Sequence, residues 1–283
     1  MPQVVTLHIT DTNRQLPVKP GRKAKFRATQ DFEKRRLTVW DGIRSETKYE
    51  QSNCGLTPVL PQFKKVNMNK VIYTAIFSNY EELKRPTVVT EGWKYVCFSD
   101  QPITSDVWHI EKVEPTNDPL MMARSFKING FRYFGHSIWV DGSFIIKCNL
   151  DEFWQRHFKY PMTVIQHPFR DNVYAEIKAC IKNNRADVRM LNDQYHAYKQ
   201  LGINGSVIQS GILLRENSKQ VIDFCKLWWQ ELIKHSPRDQ IAFAAAEYLM
   251  PGIANRTAHA FDYRNNDFFT FINHYHRRNA HTH

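Results

Sequence analysis

The sequence is poor in cysteine, short of acids relative to bases, and without any long apolar run. Its five cysteines (Cys54, Cys97, Cys148, Cys180 and Cys225) are scattered, odd in number and never spaced as C-x-x-C. That pattern argues against a disulfide framework and fits reduced thiols. No stretch approaches the roughly 18–20 apolar residues of a membrane-spanning helix. The start, Met-Pro-Gln-Val-Val-Thr-Leu-His, lacks the basic residues and apolar stretch of a secretory leader, so a cytoplasmic protein is expected. Neither a His-x-x-x-His pair nor a Gly-x-Ser-x-Gly elbow is present, which leaves zinc-type and serine-type hydrolysis without an anchor.

What is present supports a folded enzyme-sized chain. Hydrophobic residues make up 42% and aromatics 13% of 283 residues, enough for the core of one large α/β domain or two small ones. The charge is uneven. Residues 1–69 hold 13 Lys and Arg against 6 Asp and Glu, or +7 of the total +11; the remainder holds 26 against 22. Clusters such as Arg22-Lys23-Ala24-Lys25 and Lys34-Arg35-Arg36 suit a polyanionic partner or, more simply, a solvated face. This segment is also rich in loop formers, with Pro17, Pro20, Gly21, Gly55, Pro58 and Pro61 around short candidate strands at Val4–Ile9 and Leu37–Trp40. Residues 1–69 therefore read as a basic extension or small accessory unit, and 70–283 as the main domain.

From Lys70 onward strands alternate with helices, which predicts an α/β sheet. Val71–Phe77 reads as a strand ending at Ser78-Asn79-Tyr80, and Tyr95–Phe98 as a second ending at Ser99-Asp100. Trp108–Val113 is a third. A helix over Pro119–Phe134 places Arg124 and Lys127 on one face. Ser137–Ile146 then gives a buried strand stopping at Asp141, a Gly-Ser turn, and a second apolar run. A carboxylate at the end of a buried strand needs a partner; Asp141 reads either as the opener of an Asp-Gly turn or as a metal ligand. Asp151–Tyr160 is an aromatic-rich helix, and Met162–Gln166 a strand leading to His167, a structural hydrogen-bonder or a ligand contact.

Helices over Val173–Asn183 and Ala186–Leu201 follow, the second capped by Gly202. The Ser206–Leu214 strand is interrupted at Ser210-Gly211, where glycine marks a bulge or a close approach. A helix through Lys234 buries Val221, Phe224, Cys225, Trp228 and Leu232. Ser236-Pro237-Arg238-Asp239 opens the next helix in a capping-box-like pattern, so Asp239 reads as a cap or as a catalyst. Residues 255–283 carry five of the twelve histidines, suited to metal or phosphate contact or to a mobile tail.

Five ordered segments carry a resemblance. They are Ile72–Phe77, Tyr95–Asp100, Ile138–Ser143, Ser210–Arg215 and Arg238-Asp239-Gln240. Together, over about residues 70–278, the chain resembles a glycosyltransferase-like family, long a domain of unknown function. That family includes plant mucilage-related and turgor-regulation proteins and bacterial and phage members. The resemblance implies a GT-A-like mixed sheet flanked by helices that binds a nucleotide-sugar, with a UDP-sugar as the default donor. It places the nucleobase and ribose at the Thr74–Tyr80 strand end near Asp100, and the diphosphate on Arg124 and Lys127. Asp141, Ser143 and His276 would hold a divalent metal, manganese or magnesium. His167, Gln209, Ser210 and Gly211 would lie on the acceptor side, and Asp239 would be the catalytic group, as a base or as a stabiliser of the cationic sugar.

Ser143 departs from the usual second Asp of an Asp-x-Asp pair and is a weaker, neutral ligand. An Arg and Lys clamp in place of the metal is the alternative this leaves. The expected function is transfer of a sugar, hexosyl or pentosyl, to a hydroxyl of a polysaccharide, lipid, protein or modified nucleic acid. A metal-dependent amide or lipid hydrolase and a non-catalytic sugar-nucleotide or glycan binder are the competing classes.

Overall fold

The computed structural model describes residues 27–31, 36–40, 70–257 and 266–272. The chain divides into two compact units, Met1–Thr57 and Pro58–His283. In the first, β1 (Arg27–Asp31) pairs antiparallel with β2 (Arg36–Trp40). The candidate strand Val4–Ile9 lies outside the described residues.

The second unit alternates strands and helices as expected. Its strands are β3 (Lys70–Ile76), β4 (Lys94–Ser99), β5 (His109–Lys112), β6 (His136–Val140), β7 (Phe144–Ile146), β8 (Met162–Gln166), β9 (Ile208–Glu216), β10 (Ala254–Arg256) and β11 (Phe269–Phe271). Among the described residues, seven of these form one mixed sheet in the order β10-β8-β9-β6-β3-β4-β5. Every strand runs parallel to its companions except β9, which lies antiparallel to both β6 and β8. β7, which resumes after the Asp141 turn, leaves this sheet and pairs with β11. Because β4 and β6 flank β3 on opposite sides, the order reverses at β3, and ligands of such sheets bind outside the carboxyl ends at that reversal.

Among the described residues, six helices accompany the sheet: α1 (Pro119–Asn129), α2 (Leu150–His157), α3 (Val173–Lys182), α4 (Val188–Leu201), α5 (Lys219–Lys234) and α6 (Asp239–Leu249). Alternation along the strands sorts the core into two faces. Tyr73, Phe98, Trp139 and Leu213 point to one face, packing with Phe126 of α1, Trp228 of α5 and Phe243 of α6. Ile72, Cys97, Val140 and Ile212 point to the other, with Phe153 of α2, Trp93 and Phe269. The outer side of α6 carries α3 and α4 through Ile177, Leu191, Tyr198, Ile241 and Ala244. The five residues expected to form the buried stripe of α5 are all buried.

Several boundaries differ from the sequence expectation. The helix from Pro119 stops at Asn129 and tightens into a 3-10 turn, Gly130–Tyr133, rather than running to Phe134. The helix holding Asp239 is not capped by Ser236. That hydroxyl donates to Gln194 Oε1 at 2.6 Å, so the helix begins at Asp239, with Arg238 in the N-cap position and no side-chain cap bond. Asp239 is thus a first-turn residue, left unused as a cap.

Ser236 belongs to a buried polar network at the end of α5. Gln194 donates to Tyr198 Oη (2.9 Å), which donates to Glu231 (3.0 Å), with His235 Nε2 3.7 Å from the same carboxylate. Burial, aided by the Lys234 charge, pushes His235 from 6.5 down to about 4. The unfolded chain therefore takes up this proton first, and the stability His235 contributes above pH 6.5 is lost as pH falls towards about 4. Burial raises Glu231, which acts in the opposite sense. His235→Phe is expected to lessen the fall in Tm between about pH 7 and about pH 5. An unchanged pH dependence would refute the burial of a neutral imidazole.

Candidate functional site

The residues with chemistry gather at the carboxyl edge of the sheet, on the face covered by α1 and α6. Because β9 runs antiparallel, its first residues reach the same edge as the last residues of β6. Val140 faces Ile212, and just beyond, Asp141 N donates to Gly211 O at 2.8 Å. Between Val164 and Ile165 of β8, the pairing on β9 jumps from Leu213 to Gln209. Ser210, Gly211 and Ile212 therefore bulge from the β8 ladder, as the glycine within the strand suggested. A side chain at Gly211 would place Cβ 2.8 Å from Phe144 Cε2 and 3.5 Å from Asp141 Oδ2, so any larger residue would have to displace the Phe144 ring that packs against this position.

Asp141 opens the turn that its sequence offered, and its carboxylate finds the partners that its position demands. Its carbonyl accepts from Phe144 N at 3.1 Å, closing a turn. Its carboxylate, on the same strand face as Trp139, accepts from Trp139 Nε1 (2.7 Å) and lies 2.8 Å from Lys127 Nζ, both through Oδ1. Lys127 projects from α1, and like other helical side chains it leans towards the helix N-terminus, which lies at this edge. The same ammonium lies 3.0 Å from Asp239 Oδ2. Arg124, one turn earlier, reaches that oxygen from Nη1 at 2.9 Å, and Ser210 Oγ donates to it at 2.8 Å. Asp239 is fixed further through its carbonyl, which accepts from Trp228 Nε1 at 2.8 Å.

The electrostatics follow from these contacts. Burial alone would raise the Asp239 carboxyl, but Arg124, Lys127 and Arg238, with the Ser210 hydroxyl, outweigh it and hold the group far below the usual carboxylate range. Its place at the start of α6 adds the positive end of the helix dipole. The ion pairs continue outward: Arg238 Nη2 lies 3.7 Å from Glu176 Oε1, and Arg170 pairs with the other oxygen of Glu176. Lys127 and Asp239 form the floor, at 2% side-chain exposure each, while Asp141 at 34% and Arg124 at 18% form the solvent-facing lip.

Of the residues singled out by sequence, Arg124, Lys127, Asp141, Ser210, Gly211 and Asp239 are brought together. Asp100 lies at the adjoining strand end, where Oδ1 accepts from Ser78 N and Gln101 Nε2, both at 2.9 Å. Tyr80 is exposed on the loop after β3, where Ser78 and Asn79 adopt left-handed backbone, a local strain typical of ligand-binding turns. Thr74 is not brought in. Its place between Ile72 and Ile76 sends it to the opposite sheet face, buried, its hydroxyl without a hydrogen-bond partner. Gln209 Oε1 is likewise buried without a partner. His167 Nδ1 accepts from Phe169 N (3.1 Å) and Arg170 N (3.0 Å), which makes it a holder of the turn after β8. His276 lies outside the described residues.

Sequence reasoning passed over Trp139, Arg238 and Glu176. The two-residue spacing of Trp139 and Asp141 on one strand was the available signal for the first. The partners of Glu176 come from distant elements and leave no local signature.

The expected divalent cation can be set against these donors. Hard cations take about six or more oxygen ligands, largely carboxylates and water. Asp141 Oδ1 is already engaged by an ammonium and an indole N–H, and Ser143 is buried and neutral. No group of three or more His, Cys, Asp or Glu suited to a metal occurs among the described residues. The described donor set does not fit a resident divalent cation.

A family model described as the TOD1/MUCI70 glycosyltransferase-like domain matches residues 100–276, more than half of the chain. The chain belongs to this family. The matched span opens at Asp100 and takes in Arg124, Lys127, Asp141, Ser210 and Asp239; the β3 segment lies upstream of it. No curated protein matches the chain. Among solved structures it is similar to the apo WbbM bifunctional glycosyltransferase, at 12% identity and a TM-score of 0.39 over 75% of this chain. The chain spans 41% of that structure's length. Among the described residues, no helix is long and apolar enough to cross a membrane.

Proposed function

We propose that this member of a glycosyltransferase-like family transfers a sugar from a nucleoside-diphosphate donor, with a UDP-sugar as the first candidate, to a hydroxyl acceptor. The observation carrying this reading is the cluster of Arg124, Lys127 and Arg238 around Asp239 and Asp141, at the carboxyl edge beside the sheet reversal. Three cations against two carboxylates leave one formal positive charge. Breaking the sugar–phosphate bond builds negative charge on the leaving diphosphate, and prearranged cations stabilise such charge at little reorganisation cost.

The roles divide by exposure. Arg124 at the lip meets the diphosphate, and Asp141 beside it fixes Lys127. Asp239 is an anchor for the cations rather than a base: a carboxylate held far below its ordinary range is a weak proton acceptor, and a general base works best with a pKa near the working pH. The nucleobase lies on the Ser78–Tyr80 loop, where Tyr80 offers an exposed ring and Asp100 braces the loop backbone.

The test is release of nucleoside diphosphate from a panel of UDP- and GDP-sugars by wild type and by Asp141→Asn. Wild type is expected to release UDP from one donor. Loss of one charge-assisted contact to Lys127 is expected to slow the variant about 10- to 100-fold. Absence of release from every donor, with no donor binding, would refute the reading.

A further inference from the structure

Lys127 is held by more than its two carboxylates. Arg215, fully buried on β9, donates from Nη2 to Lys127 O at 2.7 Å and from Nη1 to Ile128 O at 3.1 Å. These are carbonyls of the last turn of α1, whose partners would otherwise be missing. The same guanidinium bonds Tyr73 Oη and lies over the Phe131 ring, 4.8 Å from its centroid. The backbone from which Lys127 springs is thus tied to the sheet, and its side chain runs through a buried passage to Asp141 and Asp239. Withdrawing the ammonium would leave the buried Asp239 carboxylate short of a partner, an expensive step, and would strip the half-buried Asp141 of its ion pair.

A cation bound through Asp141 would therefore have to enter beside a fixed ammonium. Through Oδ1 it would also have to displace Trp139 Nε1, and through Oδ2 it would still share the carboxylate with the ammonium on Oδ1. Ser143 offers no charge in exchange, and the five charged groups already sum to one positive charge. Adding two more would crowd three cationic side chains around the ion.

Resting on the transferase reading above, we infer that the Lys127 ammonium occupies the metal's place in this chain. Donor binding then proceeds without a divalent cation, the diphosphate being met by Lys127 and Arg124. Asp141 serves to orient Lys127 rather than to ligate a metal.

The experiment uses the full chain, so that residues 273–283 with His276 are included. UDP and GDP binding are measured by calorimetry in EDTA and in manganese, and free manganese is followed by its paramagnetic resonance without nucleotide. Wild type is expected to bind one nucleotide with affinities in the two media agreeing within about threefold, less than half the free energy of a tenfold change. The manganese signal is expected to stay that of the free ion. Lys127→Met is expected to weaken nucleotide binding about 10- to 100-fold, the range for losing a hydrogen bond to a charged group. Lys127→Arg, which keeps the charge, is expected to bind more tightly than Lys127→Met.

A gain of about tenfold or more in wild-type affinity on adding manganese, or manganese uptake by the free protein, would overturn the inference while leaving the transferase reading standing. Failure of both nucleotides in both media would overturn the two together. If Lys127→Met misfolds, the wild-type comparison and the manganese signal still decide.

Discussion

Asp239→Asn is expected to lose activity by about 100-fold or more, the scale that follows from displacing reacting groups by about 1 Å, and to destabilise the fold at the same time. The asparagine keeps the shape and can accept from Ser210 or from one cation, but it removes the charge that Arg124, Lys127 and Arg238 share. Those groups are buried or largely so, and breaking a buried pair by removing one partner costs about 3–5 kcal/mol. The alternative estimate, the value of a surface pair at about 0–1 kcal/mol, does not apply at 2% exposure. Urea unfolding and nucleoside-diphosphate release read the two effects separately. A variant with wild-type stability would show that the cations are satisfied elsewhere.

The same carboxylate sets an acid limit. Its folded value is depressed, so its contribution is complete above the unfolded value of about 3.9 and declines as pH falls below it towards the lower folded value. Acid lability from Asp239 therefore begins below about pH 4, whereas that from His235 begins near 6.5. The asparagine variant should lose the lower component and keep the upper one.

Gly205→Ala is expected to be the most damaging small change away from the charged cluster. A Cβ there would overlap the backbone carbonyl of Ala244 on α6, with the carbonyl carbon at 2.6 Å and Ala244 Cα at 3.0 Å. Neither atom belongs to a flexible side chain that can turn aside. The loop cannot back away freely either, since Gly205 O accepts from Val173 N at 3.0 Å at the start of α3. Overpacking a tight core costs about 1–3 kcal/mol and sometimes more, and a backbone-to-backbone clash belongs at or above about 3 kcal/mol on that scale. A urea midpoint equal to wild type would mean that α6 shifts to admit the methyl group, and with it Asp239.

The alternation of strands and helices was legible because apolar runs and helical spacings are local periodicities. So was the bulge, announced by a glycine in a strand. The partners of Asp239 were not legible in the same way. Arg124 and Lys127 lie 115 and 112 residues away along the chain, and no local spacing reports such a pairing. Local spacing instead suggested a capping box at Ser236, which the longer-range pull of Gln194 dissolved. Thr74 shows the converse. Its strand was correctly read, but the two-residue alternation that makes Tyr73 face α1 turns Thr74 to the opposite side.

The antiparallel course of β9 has a mechanical consequence. One strand presents Ser210 to Asp239 at one end and grips the last turn of α1 with Arg215 at the other. Five residues of extended chain span about 16 Å and resist stretching, so β9 acts as a strut between the floor of the site and the helix that supplies its lysine. Tilting α1 would have to break the Arg215 clamp or drag Ser210 from Asp239. Under the proposed transferase reading, adjustment to different donors is thereby left to the strained turn after β3, while the cationic floor keeps a single shape.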